Sequence, residues 1–474
     1  MNNYLYTFYT DNLHYEKFAD DSVKCIEDEI PFELPEGWSW ARIFFITEEL
    51  PYGTAKKSSP TGLVAVLRMG NIQSGEIDYS DLVYSSDRDD IVKYTLIKND
   101  LLFNRTNSAE WVGKTAIYRG NMPAIYAGYL IRIRTFINAE YLNVVMNSGY
   151  AKSYCNSVKT DGVNQSNINA QKLGNFLVPI PSFGEQHRIS SSIADILPRI
   201  SIIQDEKDYI TDLIQKTKSK ILDLAIRGKL VPQNPDDEPA SVLLDRIRAE
   251  KEELINQGKI KREKKESVIF RGEDNSYYEK NGSEVRCIDE EIPFELPDGW
   301  NWARLKTICS KIIDGSHNPP KGSGVKTPYI MVSSRNIIFD AVTDLENVRY
   351  LNEIDFEREN SRSQLTINDV LLTTVATLGR SCIYNGFPEN LCFQRSVTVI
   401  TTDILPQYLK IFFDAPYFQN LIVNNATGTA QKGFYLNQLE GVLVCVPPTD
   451  EQKRLSTKVG QILTSIQRIG KSLS

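Results

Sequence analysis

The chain has 474 residues, 41% of them hydrophobic and 24% charged, which indicates about three folded domains rather than a disordered chain. A net charge of −7 excludes a protein that holds nucleic acid through bulk positive charge alone, although local basic surfaces are compatible with it. The seven cysteines form no C-x-x-C pair and the three histidines are far apart, so neither a disulfide framework nor a metal site is predicted. Without an apolar run of roughly 18 residues or a secretion signal, the sequence predicts a cytoplasmic protein.

Two stretches occur twice and define the organisation of the chain. Residues 23–42 return at 285–304, where VKCIEDEIPFELPEGWSWAR becomes VRCIDEEIPFELPDGWNWAR with 15 of 20 positions identical. Residues 173–188, which include LGNFLVPIP and EQHR, match residues 439–454. These units are far longer than solenoid repeats of about 20–50 residues, so they are domains. The first and last segments of the two units are alike and the segments between them differ. This indicates one scaffold used twice to recognise two different ligands.

In chain order, residues 1–26 are a polar and aromatic lead-in, and residues 27–183 are predicted to form a first recognition domain. Segments rich in β-branched and aromatic residues predict strands at 63–69, 101–104, 115–119 and 125–133, followed by a helix at 141–148. The tryptophans of the duplicated stretch follow Pro-x-Gly turns and are interpreted as structural anchors.

Residues 184–288 are predicted to be a central helical spacer and linker. A helix at 185–197 is interrupted or restarted by Pro198, and a second run of about 30 residues, or about 45 Å, reaches Arg227 before a stop at Gly228. Its apolar stripe favours a partner helix and consists of Ile203, Ile210, Ile214, Ile221 and Leu224. Another charged helix is predicted at 241–257.

Residues 289–449 are predicted to form the second domain, with strands at 329–333, 370–374, 381–384 and 396–401 and a helix around 408–415. Residues 450–474 form a short helical region that matches only residues 184–207. The predicted fold class is therefore α+β, with two similar α/β domains joined by long helices.

No fragment carries a convincing reaction centre. Asn318-Pro319-Pro320 is similar to a loop of amino-methyltransferases, but Lys321 replaces the aromatic residue that would stack on a flipped base. Gly113-Lys114-Thr115 lacks the first glycine of a phosphate-binding loop, because position 108 is Ser108. No catalytic residue is predicted, and the chain offers binding surfaces instead.

Polar loops that follow the predicted strands are the candidate nucleic-acid contacts. Arginine can bridge guanine O6 and N7, asparagine can pair with adenine, and cations and small polar groups bind phosphates. The candidates in the first domain are Arg68, Asn71, Asn104, Arg105, Thr106, Asn107, Lys114, Asn164 and Gln165. Those in the second domain are Ser316, His317, Ser334, Arg335, Asn336, Thr373, Thr374, Arg380, Arg395, Thr429, Gln431 and Lys432.

Several motifs together carry a family resemblance that covers nearly the whole chain. They are the doubled IPFELP-[ED]-GW-x-WAR, DLLFNRTNS followed by VGKTAIY, GTAQKG, P-x-x-x-EQ-x-R and AIRGKLVPQNPDDEPAS. In combination they resemble the specificity subunit of type I restriction–modification enzymes.

The resemblance implies two target-recognition domains that each read half of a bipartite site in double-stranded DNA, joined by long helices that form an antiparallel coiled coil. It further implies two methylation subunits and two restriction subunits as partners. Those partners would bring S-adenosylmethionine, ATP, Mg and all catalysis, so no cofactor is expected in this chain. The short C-terminal region departs from the expected symmetry of the helices.

Two alternatives stay open. The first is an interaction scaffold whose duplicated modules bind proteins rather than DNA. The second is a methyltransferase with its own chemistry, which Lys321 disfavours.

Overall fold

A computed structural model describes residues 4–107, 111–161, 166–259, 266–338, 340–428 and 431–472. The chain divides into two compact units, Met1–Gln204 (unit 1) and Asp205–Ser474 (unit 2). The mixture of strands and helices confirms the predicted α+β class.

The strands of unit 1 are short. They are β1 (Tyr4–Thr10), β2 (Leu13–Phe18), β3 (Val23–Cys25), β4 (Ser39–Arg42), β5 (Val64–Leu67), β6 (Ile72–Gln73), β7 (Glu76–Ile77), β8 (Val83–Ser85), β9 (Leu101–Asn104), β10 (Thr106–Asn107), β11 (Thr115–Ile117), β12 (Ala124–Tyr126), β13 (Leu130–Ile133), β14 (Thr160–Asp161), β15 (Ser166–Asn167) and β16 (Leu177–Ile180). The helices that begin in unit 1 are α1 (Arg88–Tyr94), α2 (Ala139–Met146), α3 (Gly149–Val158), α4 (Ala170–Gly174) and α5 (Phe183–Ile226).

The recognition module of unit 1 is built around β9. This strand lies inside a five-stranded sheet of order β13-β9-β11-β7-β6, and all four of its residues are buried. Leu101 and Phe103 pack into one apolar cluster, whereas Leu102 packs into another on the opposite face. Burial on both faces explains why the strand reads as a continuous apolar run, and the prediction at 101–104 is confirmed.

The helix α2 begins at a side-chain cap. The Asn138 side chain accepts a hydrogen bond from the Tyr141 backbone N–H, which satisfies one of the free donors of the first turn. The buried Tyr141 hydroxyl donates to the Pro179 carbonyl at 2.6 Å. This bond ties the helix to β16, which itself pairs with β4 of the duplicated stretch.

Unit 2 repeats this order with its own elements. They are α6 (Ala240–Asn256), β17 (Ser267–Arg271), β18 (Tyr277–Asn281), β19 (Glu284–Cys287), β20 (Asn301–Arg304), β21 (Cys309–Asp314), β22 (Ile330–Val332), β23 (Ile337–Ile338), β24 (Ala341–Val342), β25 (Arg349–Tyr350), α7 (Glu353–Ser363), β26 (Val370–Thr373), β27 (Ser381–Ile383), β28 (Leu391–Phe393), β29 (Val397–Thr402), α8 (Pro406–Asp414), α9 (Pro416–Asn424), α10 (Leu436–Glu440), β30 (Leu443–Val446) and α11 (Thr449–Ser472). The strand β26 takes the central place of β9, between β29 and β27.

A three-stranded antiparallel sheet precedes the module in each unit, formed by β1–β3 in unit 1 and by β17–β19 in unit 2. In unit 2, Arg304 Nε donates to the buried Glu279 at 2.9 Å, and Arg304 Nη2 lies 2.7 Å from Glu291. Arg42 makes the same pair of contacts with Glu16 and Glu29 in unit 1. The sequence indicated only a polar and aromatic lead-in at residues 1–26, so these sheets are a finding of the structure.

The helix α5 departs from its prediction, because it continues through Pro198 without a break. A proline inside a helix removes one backbone donor and crowds the preceding turn, while the turns on either side keep their bonds. The predicted end is confirmed, since the helix stops at Ile226 and Gly228 adopts a φ of 64°. The predicted apolar stripe is wrong for Ile203, which is 64% exposed.

Within unit 2 the last turns of α5 pack against α11. Ile221 and Ile226 belong to the same buried core as Leu455 and Ile466. Ile214 lies beside Gly470, near the end of α11. The residues just past the end of α5 bond to the start of α11, so these two helices run antiparallel.

Candidate nucleic-acid interface

The loop between β9 and β11 carries several predicted contacts of unit 1. The Gly113 N–H donates to the Asn104 carbonyl at 2.9 Å, and the Asn104 N–H donates to the Lys114 carbonyl at 2.8 Å. Gly113 has a φ of 93°, and a Cβ there would lie 3.0 Å from Cys155 Sγ, so the turn requires glycine. The Asn104 side chain is buried and donates to the Trp111 carbonyl at 2.8 Å, which makes it part of the frame.

Unit 2 builds the same turn between β26 and β27. The Gly379 N–H donates to the Thr373 carbonyl at 2.8 Å, and the Thr373 N–H donates to the Arg380 carbonyl at 2.8 Å. Gly379 has a φ of 80°, and a Cβ there would meet the Gln419 side chain at 2.6 Å. Lys114 and Arg380 therefore hold equivalent places in the two units.

Both of these cations lack an ion pair within the described part of the chain. The ammonium of Lys114 lies 3.8 Å from the ring centroid of Trp111, which supports it by a cation–π contact. Arg380 is exposed, and its Nη1 donates to the Ile337 carbonyl at 3.5 Å. Each cation keeps its charge available for an anionic ligand.

Arg105 is held at the surface by neighbours on three sides. Its guanidinium carbon lies 4.7 Å from the ring centroid of Tyr52, and Nη1 donates to Asn167 Oδ1 at 2.9 Å. Nε donates to the Gly128 carbonyl at 3.4 Å. Because the group is oriented before any ligand binds, less side-chain entropy is lost on binding.

The sequence analysis missed Tyr52 and Thr54. The Thr54 N–H bonds the Tyr126 carbonyl at 2.9 Å, just as the Ser316 N–H of unit 2 bonds the Phe393 carbonyl at 2.8 Å. A signal was present, because Gly53 stands before Thr54 as Gly315 stands before Ser316. Tyr52 is 40% exposed, and its ring supports the predicted Arg105.

Thr106 and Asn107 form β10, which pairs with β15, and both side chains are half-buried. The Asn107 amide nitrogen lies 3.0 Å from Met69 Sδ. Asn164 and Gln165 were predicted to belong to this surface and lie outside the described residues.

Asn71 and Asn336 end equivalent short 3-10 turns and are buried. The amide nitrogen of Asn71 donates to two backbone carbonyls at 2.9 Å, and that of Asn336 donates to two at 3.2 and 3.3 Å. The structure therefore gives both a scaffold role. Arg68 is half-buried, and its Nη2 is 2.7 Å from Asp81 Oδ2.

In unit 2 the backbone brings four predicted loops together. The Arg395 N–H donates to the Ser316 carbonyl at 2.9 Å, and the Thr374 N–H donates to the Ser396 carbonyl at 3.1 Å. The Ser334 N–H donates to Ser396 Oγ at 3.0 Å. These bonds join the loops near residues 316, 334, 374 and 395 at one end of the module.

The predicted side chains at this end of the module fall into a buried set and an exposed set. The buried members are Ser316, Ser334, Thr373 and Thr374. The exposed members are His317, Arg335, Arg380, Arg395, Gln431 and Lys432. Thr429 lies outside the described residues. The buried set shapes the frame, and the exposed set presents cations and polar groups to solvent.

The loop at residues 431–433 is tied to the same end. The Ala376 N–H donates to the Lys432 carbonyl at 3.0 Å, and the Phe434 N–H donates to the Thr374 carbonyl at 2.8 Å. His317 Nε2 contacts the Asp314 carboxylate, which orients the ring. Whether any of these side chains touches a nucleic acid stays a prediction.

Metal-ligand clusters of three or more His, Cys, Asp or Glu are absent among the described residues. Nor is any described helix both long enough and apolar enough to cross a membrane.

Known proteins resemble this chain over most of its length. The putative type I restriction enzyme MjaX specificity subunit of Methanocaldococcus jannaschii is 31% identical over 440 residues, covering 91% of this chain and 88% of the relative. The EcoAI specificity subunit of Escherichia coli is 25% identical over 508 residues, covering 94% of this chain and 80% of the relative. No protein-family model matches.

A solved structure described under "complex assembly and conformational transition of the type I R-M system" shares the fold. It aligns with a TM-score of 0.55 and 16% identity over 94% of both chains. Since the MjaX relative spans nearly the whole of both sequences, this chain belongs to the specificity subunits of type I restriction enzymes.

Proposed function

We propose that each unit reads one half of a bipartite site in double-stranded DNA. The observation that carries the proposal is a repeated backbone frame with unlike exposed side chains. The hydrogen bonds around Asn104 and Lys114 are repeated around Thr373 and Arg380. A repeated frame with different readers is what a discontinuous site with unlike halves requires.

Equivalent positions differ where base edges would be read. Arg105 donates its N–H to the Tyr129 carbonyl, and Thr374 donates to the Ser396 carbonyl in the matching bond. Arginine can bind guanine O6 and N7 together, whereas threonine can contact a base edge or the thymine methyl. Arg395 is exposed in unit 2 and has no cationic counterpart, because its place in unit 1 is held by Gly128.

At one equivalent position the two units carry the same charge. Lys114 and Arg380 are both cations without a carboxylate partner among the described residues. A side chain shared by two readers of different half-sites cannot distinguish them, so these cations contact phosphates. The net charge of −7 supports a division in which partner subunits supply further phosphate contacts.

In the same proposal the long helices set the spacing and dock two methylation and two restriction subunits. The chain itself is non-catalytic, and S-adenosylmethionine, ATP and Mg belong to the partners. Loops with exposed polar side chains and long helices, as described above, support this assignment of recognition to the chain and of catalysis to its partners.

The test combines the purified chain with duplex DNA, with and without a type I methylation subunit. Adenines methylated in a host that carries this chain are mapped against a host in which it is deleted. We expect a bipartite motif that disappears with the chain. Binding to proteins alone, with no motif lost on deletion, would favour the interaction scaffold and contradict the proposal.

A further inference from the structure

Each unit places one residue directly before a glycine that lies against the backbone of the recognition module. A Cβ would lie 2.1 Å from a backbone carbonyl oxygen on Gly53 of unit 1, and 2.3 Å from one on Gly315 of unit 2. No side chain fits at either place, so glycine is required there. We call the residue before it, Tyr52 or Asp314, the pre-glycine residue.

The pre-glycine residues hold equivalent places in the two modules. Tyr52 forms an antiparallel bridge with Ile131 of β13, and Asp314 pairs antiparallel with Thr398 of β29. Both β13 and β29 lie beside the central strand of their module. The two side chains therefore start from the same position of a repeated frame, although one is aromatic and the other is acidic.

In unit 1 the pre-glycine residue orients a side chain that is predicted to read bases. The Tyr52 ring centroid lies 4.7 Å from the guanidinium carbon of Arg105. The Tyr52 hydroxyl accepts a hydrogen bond from the Ala170 N–H at 2.9 Å, which holds the ring itself in place. The pre-glycine residue of unit 1 is thus a support for a reader.

In unit 2 the pre-glycine residue contacts an imidazole instead. The Asp314 carboxylate contacts Nε2 of His317, three residues further along the chain. The Asp314 side chain is only 19% exposed and the His317 side chain is 55% exposed, so the ring is the part that faces solvent. Ala55 stands at the place of His317 in unit 1, and this pair therefore belongs to unit 2 alone.

The carboxylate determines which ring nitrogen of His317 carries the proton. A carboxylate only accepts hydrogen bonds, so Nε2 donates its hydrogen to Asp314 and the neutral ring presents Nδ1 as an acceptor. Within the described residues Nδ1 has no hydrogen-bond partner. The pair therefore holds one free acceptor at the surface.

The other charged groups beside this pair are arginines. Arg362 of α7 places Nη2 4.0 Å from Asp314 Oδ1. Arg395 donates its backbone N–H to the Ser316 carbonyl at 2.9 Å, next to His317. The negative charge of Asp314 is thus balanced by a cation without a charge on the imidazole.

We propose that Asp314 positions His317 to read the exocyclic amino group of one base in the half-site of unit 2. This inference rests on the proposed function, because it assigns a role within the same DNA-reading surface. In the major groove, base edges offer hydrogen-bond donors only at adenine N6 and cytosine N4. An acceptor held at the surface therefore selects adenine or cytosine over guanine and thymine, which present acceptors there.

The same geometry makes this contact depend on pH. Histidine side chains take up a proton between about pH 5 and 8, and both nitrogens of the charged ring are donors. Nδ1 of His317 then accepts no hydrogen bond, so the preference is present at high pH and is lost as the pH falls. Arg105 keeps its charge throughout this range, so the half-site of unit 1 should not respond.

The test measures competition binding by this chain assembled with a type I methylation subunit, on duplexes that vary each base pair of the mapped site. At about pH 8, one base pair in the half-site of unit 2 should favour adenine or cytosine by about tenfold. At about pH 5.5 that preference should fall below about threefold, because the charged ring has no acceptor. The half-site of unit 1 should keep its preferences at both pH values and serves as the internal control.

Three substitutions separate positioning from a structural role. Asp314→Asn provides an amide that can donate to Nε2, so the ring can hold its proton on Nδ1, the wrong tautomer seen when a triad aspartate becomes asparagine. The preference at this base pair should then fall about tenfold at about pH 8, with affinity for the other duplexes kept. His317→Asn keeps an acceptor that does not titrate, so the preference should survive at both pH values. Glu346→Gln, which removes an exposed carboxylate of unit 2, should change nothing.

Three results would overturn the inference and leave bipartite reading intact. The first is equal preference at both pH values for every base pair in the half-site of unit 2. The second is equal weakening on all duplexes by Asp314→Asn, because the carboxylate would then only hold the fold. The third is a preference that still changes with pH in His317→Asn, because another group would then titrate. A complex with no sequence preference in DNA would instead overturn the proposed function, and this inference with it.

Discussion

Lys114 and Arg380 keep a positive charge at one equivalent position, although the residues around them differ between the two units. Each follows a glycine with positive φ in the same hydrogen-bonded turn, and neither has an ion-pair partner among the described residues. The frame fixes where the charge lies, whatever the neighbouring loops recognise.

Replacing Lys114 or Arg380 with alanine should weaken binding to all DNA sequences about equally. Loss of one phosphate contact should reduce the slope of log affinity against log salt by about one. A salt series on a cognate duplex and a one-mismatch duplex measures both effects. Lost discrimination with an intact salt slope would contradict the phosphate role.

Arg105→Ala should behave differently, because this guanidinium lies in the divergent loop and is oriented by Tyr52 and Asn167. We expect relaxed preference at one base pair, worth about 1–3 kcal/mol, and a nearly unchanged salt slope. Competition binding with duplexes that vary each base pair of the half-site provides the measurement. Equal weakening on all of them would show that Arg105 contacts the backbone.

The buried ion pair between Glu279 and Arg304 should make the stability of unit 2 depend on pH. Its pKa is lowered to about 2, chiefly by the hydrogen bond from Arg304 and also by those from Ser267 and Arg286. Since the folded pKa lies below that of an unfolded glutamate, the stabilisation is present above pH ~4.5 and is lost as pH falls toward ~2.

Glu279→Gln should therefore lower the free energy of unfolding at pH 7 by up to about 3–5 kcal/mol, because it removes one partner of a buried pair. The difference from wild type should shrink as pH falls from ~4.5 to ~2. Urea unfolding at several pH values tests this, with the exposed Glu346→Gln as the control. A difference independent of pH would rule out the ion pair as its cause.

At the residue scale the sequence located the loops of the candidate interface. It did not show which side chains in those loops are already hydrogen-bonded within the fold. Asn71 and Asn336 were both predicted as nucleic-acid contacts, yet the amide nitrogen of each donates to backbone carbonyls. A polar residue in a loop has the same pattern whether it points to solvent or closes a turn, so only the fold separates the two cases. Tyr52 was missed because its role depends on Arg105, which is distant in sequence.

At the scale of elements, strands buried on both faces were predicted well, since β9 and β26 read as short apolar runs between turn residues. The small sheets β1–β3 and β17–β19 were not predicted, because few of their residues are buried and the two-residue period of burial is therefore weak. Pro198 was given too much weight, because one missing donor does not end a helix of 44 residues.

The first half of α5 is a suitable place to test the role of the helix in spacing. Ile196, Leu197, Ile200 and Ile202 are all more than half exposed, so an insertion there disturbs little described packing. Four alanines after Ile200 add about one helical turn and about 6 Å. The unread spacer of the DNA site should lengthen by one or two base pairs, measured by mapping methylated adenines. An active complex with an unchanged spacer would show that the helix does not set the distance.

At the scale of the whole molecule, the duplicated edges were visible in the sequence and recur as paired elements. The strand β4 pairs with β16, and β20 pairs with β30, so each duplicated start is hydrogen-bonded to its duplicated end. Residues 43–172 lie between the two edges of unit 1 and leave this pairing untouched. We therefore expect that the middle can be exchanged while the pairing of β4 with β16 is kept.

The most direct test of two independent readers is to replace residues 43–172 with the corresponding middle of another specificity subunit and to map the methylated adenines. The account predicts that one half-site changes to that of the donor, while the other half-site and the spacer stay the same. If both half-sites change together, the two units do not read DNA independently and the central claim is wrong.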